Sequence, residues 1–288
     1  MTALAAERGE GATGAPPPVR VDDHLVGEEG HGAGKRVAAL VTLDRPERLN
    51  AIDWDMLRAL ETVVEGLIER DDLCAVLVTG SGRAFSAGGD LKSYLDLQRD
   101  PVAFPRFVTD VHRIFGRLRD VPVPVVALVN GVTAAGGLEL LLNCDMGLVA
   151  RSARIGDGHL NYGQMGGGGV LTLLPRLIGF PRAFELIMSG RFLDAGEAVE
   201  WGLAARAVPD ADLLRDGLEF AAQVARKSPL AVANAKSVLQ SLWCANADVG
   251  SGLRLERERN AYYCLTSEDA REGLAAFAGK RRPNFTGR

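Results

Sequence analysis

Short apolar runs alternate with segments of helical spacing along most of the chain. Residues 36–43 form a β-branched and aliphatic run that ends at Asp44-Arg45-Pro46, and this predicts a strand because proline cannot continue a hydrogen-bonded ladder. Between Trp54 and Arg70, apolar residues recur at intervals of three and four, which predicts an amphipathic helix. Residues 75–79 then form a second buried strand that ends at a glycine turn.

The alternation continues as far as Met188. It predicts helices over 107–118, 135–143, 171–178 and 182–188, and strands over 123–129 and 146–150. Strands that alternate with helices indicate an α/β fold with helices packed over sheets. After Pro209 the pattern is almost purely helical, with predicted helices over 213–227, 229–242, 252–265 and 268–278.

Composition narrows the class of protein. The 288 residues are 47% hydrophobic, which provides enough apolar material for a large core. The 33 basic and 37 acidic side chains give a net charge of -4, which argues against a general nucleic-acid surface. No apolar run approaches the roughly 20 residues of a membrane helix, so no membrane contact is expected.

The cysteines and the N-terminal segment bear on location. Four widely spaced cysteines without a CxxC pair favour buried thiols in a reducing compartment, and the absence of zinc-type ligand spacing predicts no metal site. Residues 1–34 are rich in Ala, Gly, Pro and acidic residues, and we expect a flexible leader there. This segment lacks the basic start and apolar stretch of a signal peptide, so we expect a cytoplasmic protein.

Two glycine-bearing turns carry the candidate chemistry. Each follows a strand-like run: Ser86-Ala-Gly-Gly-Asp90 in one case, and Ala135-Gly-Gly-Leu-Glu139 in the other. Either segment alone is typical of an ordinary tight turn. Together they can direct two backbone N–H groups at one spot, with the carboxylate of Glu139 close by. This combination predicts an oxyanion-binding site with an acid or base beside it.

These segments resemble the crotonase family, the enoyl-CoA hydratase/isomerase superfamily, over roughly residues 36–288. Members bind acyl-CoA thioesters and stabilise an enolate. The resemblance implies an α/β fold of crotonase type, a spiral of repeated strand-strand-helix units over 35–208. It also implies a C-terminal helical trimerisation region over 209–288, and a homotrimer or a dimer of trimers.

The resemblance also implies roles for particular residues. The N–H groups of Gly89 and Gly136 would bind the thioester oxygen, and Glu139 matches one of the two catalytic glutamates of the hydratases. Because Glu139 lies in the apolar run Leu138-Glu-Leu-Leu-Leu142, burial should raise its pKa. The alternative is a structural carboxylate paired with an arginine.

The sequence departs from the family pattern at the second glutamate. In hydratases that residue lies about twenty positions later, in a segment that begins Phe-Gly-x-Pro. Here the segment reads Ile155-Gly-Asp-Gly-His159, and His159 occupies the glutamate position. The histidine could perform acid/base chemistry with Asp157 orienting its ring, or it could only line the pocket.

The sequence indicates the residues that contact coenzyme A less specifically than the catalytic residues. By resemblance, the residues expected to bind the substrate are Arg48, Asn50, Ala51, Ala87, Gly89, Asp90, Leu91 and Lys92. For a single basic residue, a solvated surface position is the alternative. The run Gly166–Gly169 lacks the Lys-Ser/Thr of a phosphate loop, so it is interpreted as the turn into the next helix.

The functional hypothesis is therefore an acyl-CoA-binding enzyme of the enoyl-CoA hydratase/isomerase type, in fatty acid metabolism. It would add water to an enoyl-CoA or move a proton in it, with coenzyme A as part of the substrate and no metal or other cofactor. The alternatives are a Δ3-Δ2-enoyl-CoA isomerase, a crotonase-fold thioester hydrolase or lyase, and a non-catalytic CoA-binding subunit. RNA binding is disfavoured by the acidic balance.

Overall fold

The computed structural model describes residues 16–26, 36–245 and 248–288. Its first element, β1 (Val19–Leu25), pairs antiparallel with β2 (Val37–Leu43). The prediction of a flexible leader over all of 1–34 is therefore wrong for residues 19–25. Only the first residue of β1 is buried, because the strand lies at the edge of the sheet, so its hydrophobic pattern is weak. The remainder of that predicted leader lies largely outside the described residues.

A six-stranded sheet forms the base of the fold, in the order β1-β2-β3-β5-β7-β9. Every pairing after the first is parallel. Its further strands are β3 (Leu73–Gly80), β5 (Val125–Val129), β7 (Met146–Ala150) and β9 (Arg206–Val208). Strands β2 and β5 are buried throughout, as expected for parallel strands covered on both faces, and this explains why their continuous apolar runs were predictable.

A second, smaller sheet is parallel and has the order β4-β6-β8. Its strands are β4 (Ala84–Ser86), β6 (Val132–Ala134) and β8 (Arg154–Gly156). Each follows a strand of the larger sheet along the chain and precedes a helix. The strand-strand-helix repeat is therefore confirmed. Three residues are too few for a hydrophobic pattern, and these strands were not predicted.

Helices pack against the larger sheet and extend beyond it. Their bounds are α1 (Trp54–Ile68), α2 (Leu91–Leu97), α3 (Ala103–Arg117), α4 (Gly136–Asn143), α5 (Val170–Ile178), α6 (Phe180–Ser189), α7 (Ala195–Glu200), α8 (Leu213–Ala225), α9 (Pro229–Ala245), α10 (Val249–Thr266) and α11 (Glu268–Ala278). Short 3-10 helices cover Pro46–Arg48, Leu118–Asp120, His159–Tyr162 and Asp210–Asp212. The longer helices agree with the predicted ones to within a few residues, whereas α2 and α7 were not predicted.

The C-terminal helices are tied together by a buried carboxylate. Asp269 is 1% exposed and accepts hydrogen bonds from the amides of Thr286 and Gly287 and from the hydroxyl of Ser228. These bonds hold the end of the chain against α9 and α11. In contrast, the apolar side chains of Leu265 and Phe277 are exposed. The division of the chain at residue 208 stays a prediction.

The described residues contain no helix that is both long and apolar enough to span a bilayer. All four cysteines are free thiols. Cys74 is buried, but Cys244 and Cys264 are exposed, so the expectation of buried thiols is wrong for these two. Both lie on the C-terminal helices α9 and α10, next to apolar residues that are themselves partly exposed.

Candidate active site

The three strands of the small sheet all lead into one site. The turn with Gly88 and Gly89 follows β4, Gly136 follows β6, and Asp157 and His159 follow β8. Because these strands are parallel, their carboxyl ends lie at the same edge of the sheet. The topology therefore brings together segments that are far apart in sequence.

The two predicted glycine turns touch each other. Gly88 has a φ of +91°, and a Cβ on this residue would lie 2.8 Å from the carbonyl oxygen of Ala134 and 2.9 Å from the nitrogen of Gly136. A Cβ on Gly136 would in turn lie 3.6 Å from the nitrogen of Gly89. Only glycine at position 88 permits both the backbone conformation and the close approach of the two turns.

The amides of Gly89 and Gly136 have no acceptor among the described residues. Ile52 donates to the carbonyl of Gly88 at 2.7 Å and accepts from the amide of Asp90 at 3.1 Å, so the intervening N–H of Gly89 points away from Ile52. Gly136 is the first residue of α4, where the N–H has no intrahelical partner. Both residues line the same cavity, where they are free to donate to a ligand.

Glu139 is buried beside these amides, with 3% of its surface exposed. Its Oε1 atom accepts hydrogen bonds from the amides of Gly168 at 2.7 Å and Val170 at 3.3 Å. Burial raises the pKa of Glu139 above its ordinary value, although the charge of His159 and the two amide bonds act in the opposite direction. In the part of the chain that the structure describes, no arginine pairs with this carboxylate, contrary to the structural alternative.

The glycine run 166–169 forms the receptacle for this carboxylate. A Cβ on Gly166 would lie 2.8 Å from Oε1 of Glu139, and a Cβ on Gly168 would lie 2.8 Å from Oε2. Both distances are shorter than the van der Waals contact of a carbon and an oxygen atom, so a side chain at either position would displace the carboxylate. The sequence predicts that this segment is the turn into the next helix, and α5 does begin at Val170. Its role in holding Glu139 was not predicted.

His159 forms a pair with Asp157. The Nδ1 atom lies 2.7 Å from Oδ1 of Asp157, whose side chain is 1% exposed, whereas the imidazole is 13% exposed. Burial lowers the pKa of His159, but the hydrogen bond and charge of Asp157, together with the charge of Glu139, raise it, and the net direction is above its ordinary value. Asp157 therefore orients the ring of His159, as the sequence predicts.

His159 and Glu139 face the same space. A Cβ on Gly166 would lie 2.8 Å from Oε1 of Glu139 and 3.4 Å from Cε1 of His159, so the two side chains are within roughly 6 Å of each other. Both side chains also line the same cavity. The two titratable groups can therefore act on one substrate.

Tyr94 is a site residue that sequence reasoning missed. Its ring packs edge-to-face on Phe104 and Phe107, with centroids 5.8 and 5.6 Å apart. Burial, and to a lesser degree the charge of Glu139, raises the pKa of Tyr94 to about 12, so the phenol is neutral. The available signal was its place one turn into the helix that follows Gly89, but α2 itself was not predicted.

These groups line a cavity of about 300 Å³. Its remaining wall is largely apolar or glycine, and the lining residues include Ile52, Phe104, Phe107, Val108, Val111, Met165 and Gly167. A larger groove of about 900 Å³ lies elsewhere, between α4, α8 and α9, and contains none of the predicted catalytic residues.

The residues predicted to bind coenzyme A form one packed unit, but not all face outward. Asn50 is 0% exposed, and its amide donates to the carbonyls of Ser81 and Ala84 while its Oδ1 accepts from the amide of Arg45. The prediction that Asn50 contacts the ligand therefore needs correction, because its side chain is fully used in holding the loops together. Ala51 is also buried.

The outer residues of this unit are more accessible. Arg48 pairs with Asp90 at 3.3 Å, and Asp90 caps α2 by accepting from the amides of Lys92 and Ser93. Leu91 and Lys92 are exposed. The amide of Ala87 donates to the carbonyl of Leu49, which joins the two loops. Arg48 and Lys92 are thus placed at the surface, where an anionic ligand can reach them.

The chain is similar in sequence to known proteins of one family. The enoyl-CoA hydratase/isomerase family model matches residues 34–288. The chain is 34% identical over 249 residues to a Mycobacterium bovis protein named "Probable enoyl-CoA hydratase echA8". This match covers 86% of this chain and 94% of that protein. It is 31% identical over 247 residues to the short-chain-enoyl-CoA hydratase of Clostridium acetobutylicum, covering 85% and 92% respectively.

A solved structure shows the same fold. The crystal structure of enoyl-CoA hydratase from Bacillus anthracis superposes with a TM-score of 0.84 at 30% identity. The match covers 94% of this chain and 100% of the other.

The pairing of Asp157 with His159 predicts a measurable pKa change. In Asp157→Asn, the raising influence of the carboxylate is removed while burial still lowers the pKa, so we expect the pKa of His159 to fall. An NMR titration of the imidazole Cε1–H resonance measures it. The matched control is Asp96→Asn, at a carboxylate whose side chain is 83% exposed, which should leave His159 unchanged. A wild-type pKa below the ordinary value of about 6.5, or no fall in Asp157→Asn, would contradict the pairing.

Proposed function

Because this chain belongs to the enoyl-CoA hydratase/isomerase family, we propose that it hydrates a 2-enoyl-CoA with Glu139 and the His159–Asp157 pair as its proton-transferring groups. The observation that carries the proposal is the position of His159. It is held by Asp157 at 2.7 Å and faces the same cavity as Glu139. An imidazole can supply the second proton transfer that a glutamate would otherwise make.

The thioester oxygen would be bound by the amides of Gly89 and Gly136. Both line the cavity, and neither donates to another group in the described part of the chain. As water adds, negative charge develops on this oxygen, and fixed donors stabilise it without reorganising. Loss of one such donor typically costs about 3 kcal/mol.

The chemical step then uses the two side chains in turn. Glu139 takes a proton from water as the water oxygen bonds to Cβ of the substrate, and the π electrons of the double bond pass to the thioester as an enolate. The imidazolium of His159 donates its proton to Cα, so the enolate collapses to the 3-hydroxyacyl product. A proton passing from Glu139 to His159 restores both groups.

The raised pKa values support these roles. A carboxylic acid whose pKa lies above its ordinary value is a stronger base when ionised, and an imidazole whose pKa is raised is charged over more of the neutral range. The overall reaction changes no oxidation state, and side chains make each proton transfer. We therefore expect no requirement for a redox cofactor or a metal.

An isomerase is the second candidate, because one base suffices to move a proton between two carbons. The observation that favours it is Glu139, which lines the cavity without a paired glutamate. The assembly and location are proposals as well. We propose a homotrimer or a dimer of trimers in the cytoplasm, and exposed apolar side chains on α10 and α11, such as Leu265 and Phe277, support the association of subunits.

The first test offers the purified protein crotonyl-CoA and a Δ3-enoyl-CoA. Hydration predicts loss of the conjugated-thioester absorbance with crotonyl-CoA. Appearance of that absorbance from the Δ3 substrate alone would instead establish isomerisation, and binding of coenzyme A esters without turnover would indicate a non-catalytic subunit.

The second test removes the base. In Glu139→Gln we expect kcat to fall by roughly 10²–10⁴, the range for general acid/base catalysis, since the amide has nearly the same shape but cannot accept a proton. The control is Glu185→Gln, a half-exposed position on α6, which should retain activity. If Glu139→Gln retains full turnover while His159→Ala abolishes it, the assignment of Glu139 is wrong.

The third test displaces the base without removing it. In Gly168→Ala the new Cβ would lie 2.8 Å from Oε2 and 3.0 Å from Cδ of Glu139, so the carboxylate must move. We expect kcat to fall by roughly 10²-fold, as for other small displacements of a reacting group. Gly116→Ala on α3 is the matched control, because its Cβ meets nothing within 4 Å. Equal activity of the two variants would show that the position of the carboxylate is unimportant.

A further inference from the structure

The cavity wall carries three polar side chains that the proposed hydration does not use. These are Tyr94, Gln98 and Gln164. Tyr94 lies on α2 and Gln98 ends that helix, while Gln164 lies in the segment between the 3-10 helix after β8 and the glycine run. They therefore come from two separate segments that line the same cavity.

The hydroxyl of Tyr94 is positioned by packing and not by a hydrogen bond. Its ring is fixed edge-to-face against Phe104 and Phe107. A Cβ on Gly89 would lie 2.7 Å from Cε2 and 3.2 Å from the hydroxyl oxygen, so the phenol lies close to the Gly89 backbone. Within the described residues the hydroxyl has no hydrogen-bond partner, whereas a tyrosine hydroxyl in a largely buried position usually has one.

The two glutamines hold each other in a defined orientation. The Nε2 atom of Gln98 donates to Oε1 of Gln164 at 2.6 Å, and Nε2 of Gln164 donates to the carbonyl of Tyr162 at 3.3 Å. The Oε1 atom of Gln98 accepts no hydrogen bond from the part of the chain that the structure describes. The cavity thus offers a phenol donor and an amide acceptor to a bound molecule.

The charges around the cavity disfavour an acidic acyl group. Neither lysine nor arginine lines it, the imidazole of His159 is already paired with Asp157, and Glu139 would repel a second carboxylate. The remaining contacts with Phe104, Phe107 and Val111 are apolar and suit a carbon chain. A neutral oxygen on that chain satisfies the polar groups without adding charge.

We propose that the site selects acyl-CoA substrates whose acyl chain carries a neutral oxygen substituent, a hydroxyl or a ketone, which accepts a hydrogen bond from Tyr94 beside the Gln98–Gln164 pair. This inference rests on the proposed function, because it assumes that the cavity binds the acyl group of the substrate. An alkyl chain in the same place would leave the Tyr94 hydroxyl without a partner, and such unpaired groups reduce affinity.

The test measures equilibrium binding of saturated esters, which cannot be hydrated. The probes are 4-hydroxypentanoyl-CoA and 5-hydroxypentanoyl-CoA, each compared by calorimetry with the ester that has a methyl group in place of the hydroxyl, 4-methylpentanoyl-CoA and hexanoyl-CoA. For at least one pair, we expect wild-type protein to bind the hydroxyl ester more tightly by roughly tenfold. In Tyr94→Phe that ratio should fall close to one.

Tyr162→Phe is the matched control, because Tyr162 is 66% exposed and does not line the cavity, and the ratio should be kept there. Equal binding of both members of both pairs by wild-type protein would overturn the proposal, as would a preference that survives in Tyr94→Phe. Failure of the protein to hydrate crotonyl-CoA would contradict the proposed reaction and leave this binding comparison intact, so the two failures are distinguishable.

Discussion

The contact between two glycine turns is the constraint on which the site depends. Strands β4 and β6 run parallel, with Ala84 opposite Val132, so the turns that follow them leave the sheet at the same edge. A side chain on Gly88 would run into the backbone of the second turn, at the nitrogen of Gly136. Because position 88 has no Cβ, two amides from distant parts of the chain reach one cavity. Ligands commonly bind at the carboxyl ends of parallel strands, and this site follows that rule.

The second constraint is the burial of a carboxylate that belongs to an otherwise apolar helix, α4. Ionised Glu139 loses solvation there, and the amides of Gly168 and Val170 offset part of that loss. The glycine run lets those amides approach, since side chains at 166 and 168 would occupy the space of the carboxylate. The same features that stabilise the buried charge also fix its position for reaction.

A histidine where the family resemblance implies a second glutamate changes the charge of the site. Two neighbouring carboxylates cannot both ionise easily, so such a pair shares a proton. Here an imidazole near Glu139 can carry that proton, and the buried Asp157 stabilises the charged ring. The substitution replaces a repulsive pair by an attractive one. The proposed chemistry therefore needs only one ionised carboxylate facing the substrate.

The sequence predicted what leaves a strong hydrophobic pattern or a recognisable motif. Long helices such as α1 are predictable because their apolar residues recur with a clear period, and fully buried strands such as β2 because their apolar run is continuous. Strand β1 was missed because one face of an edge strand buries little, and β4 is too short to show a period.

The site residues that could be predicted are likewise those that lie in recognisable local motifs. The glycines and Glu139 come from motifs within short segments, so their proximity could be expected. Asn50 lies in such a segment too, but its burial depends on a loop more than thirty positions away, which sequence alone did not reveal. Tyr94 and Gly168 reach the site only through tertiary packing, and no local pattern distinguishes them from core or turn residues.

The central claim is that this cavity stabilises the enolate of a bound thioester while His159 exchanges the proton at Cα. The most direct measurement is exchange of the α-hydrogens of butyryl-CoA with D₂O, followed by NMR, because exchange needs the enolate but not hydration. The account predicts exchange by the wild-type protein and its loss in His159→Ala, which lacks the group that exchanges protons with Cα, and in Gly88→Ala, where the two turns must separate. Exchange that continues undiminished in both variants would contradict it.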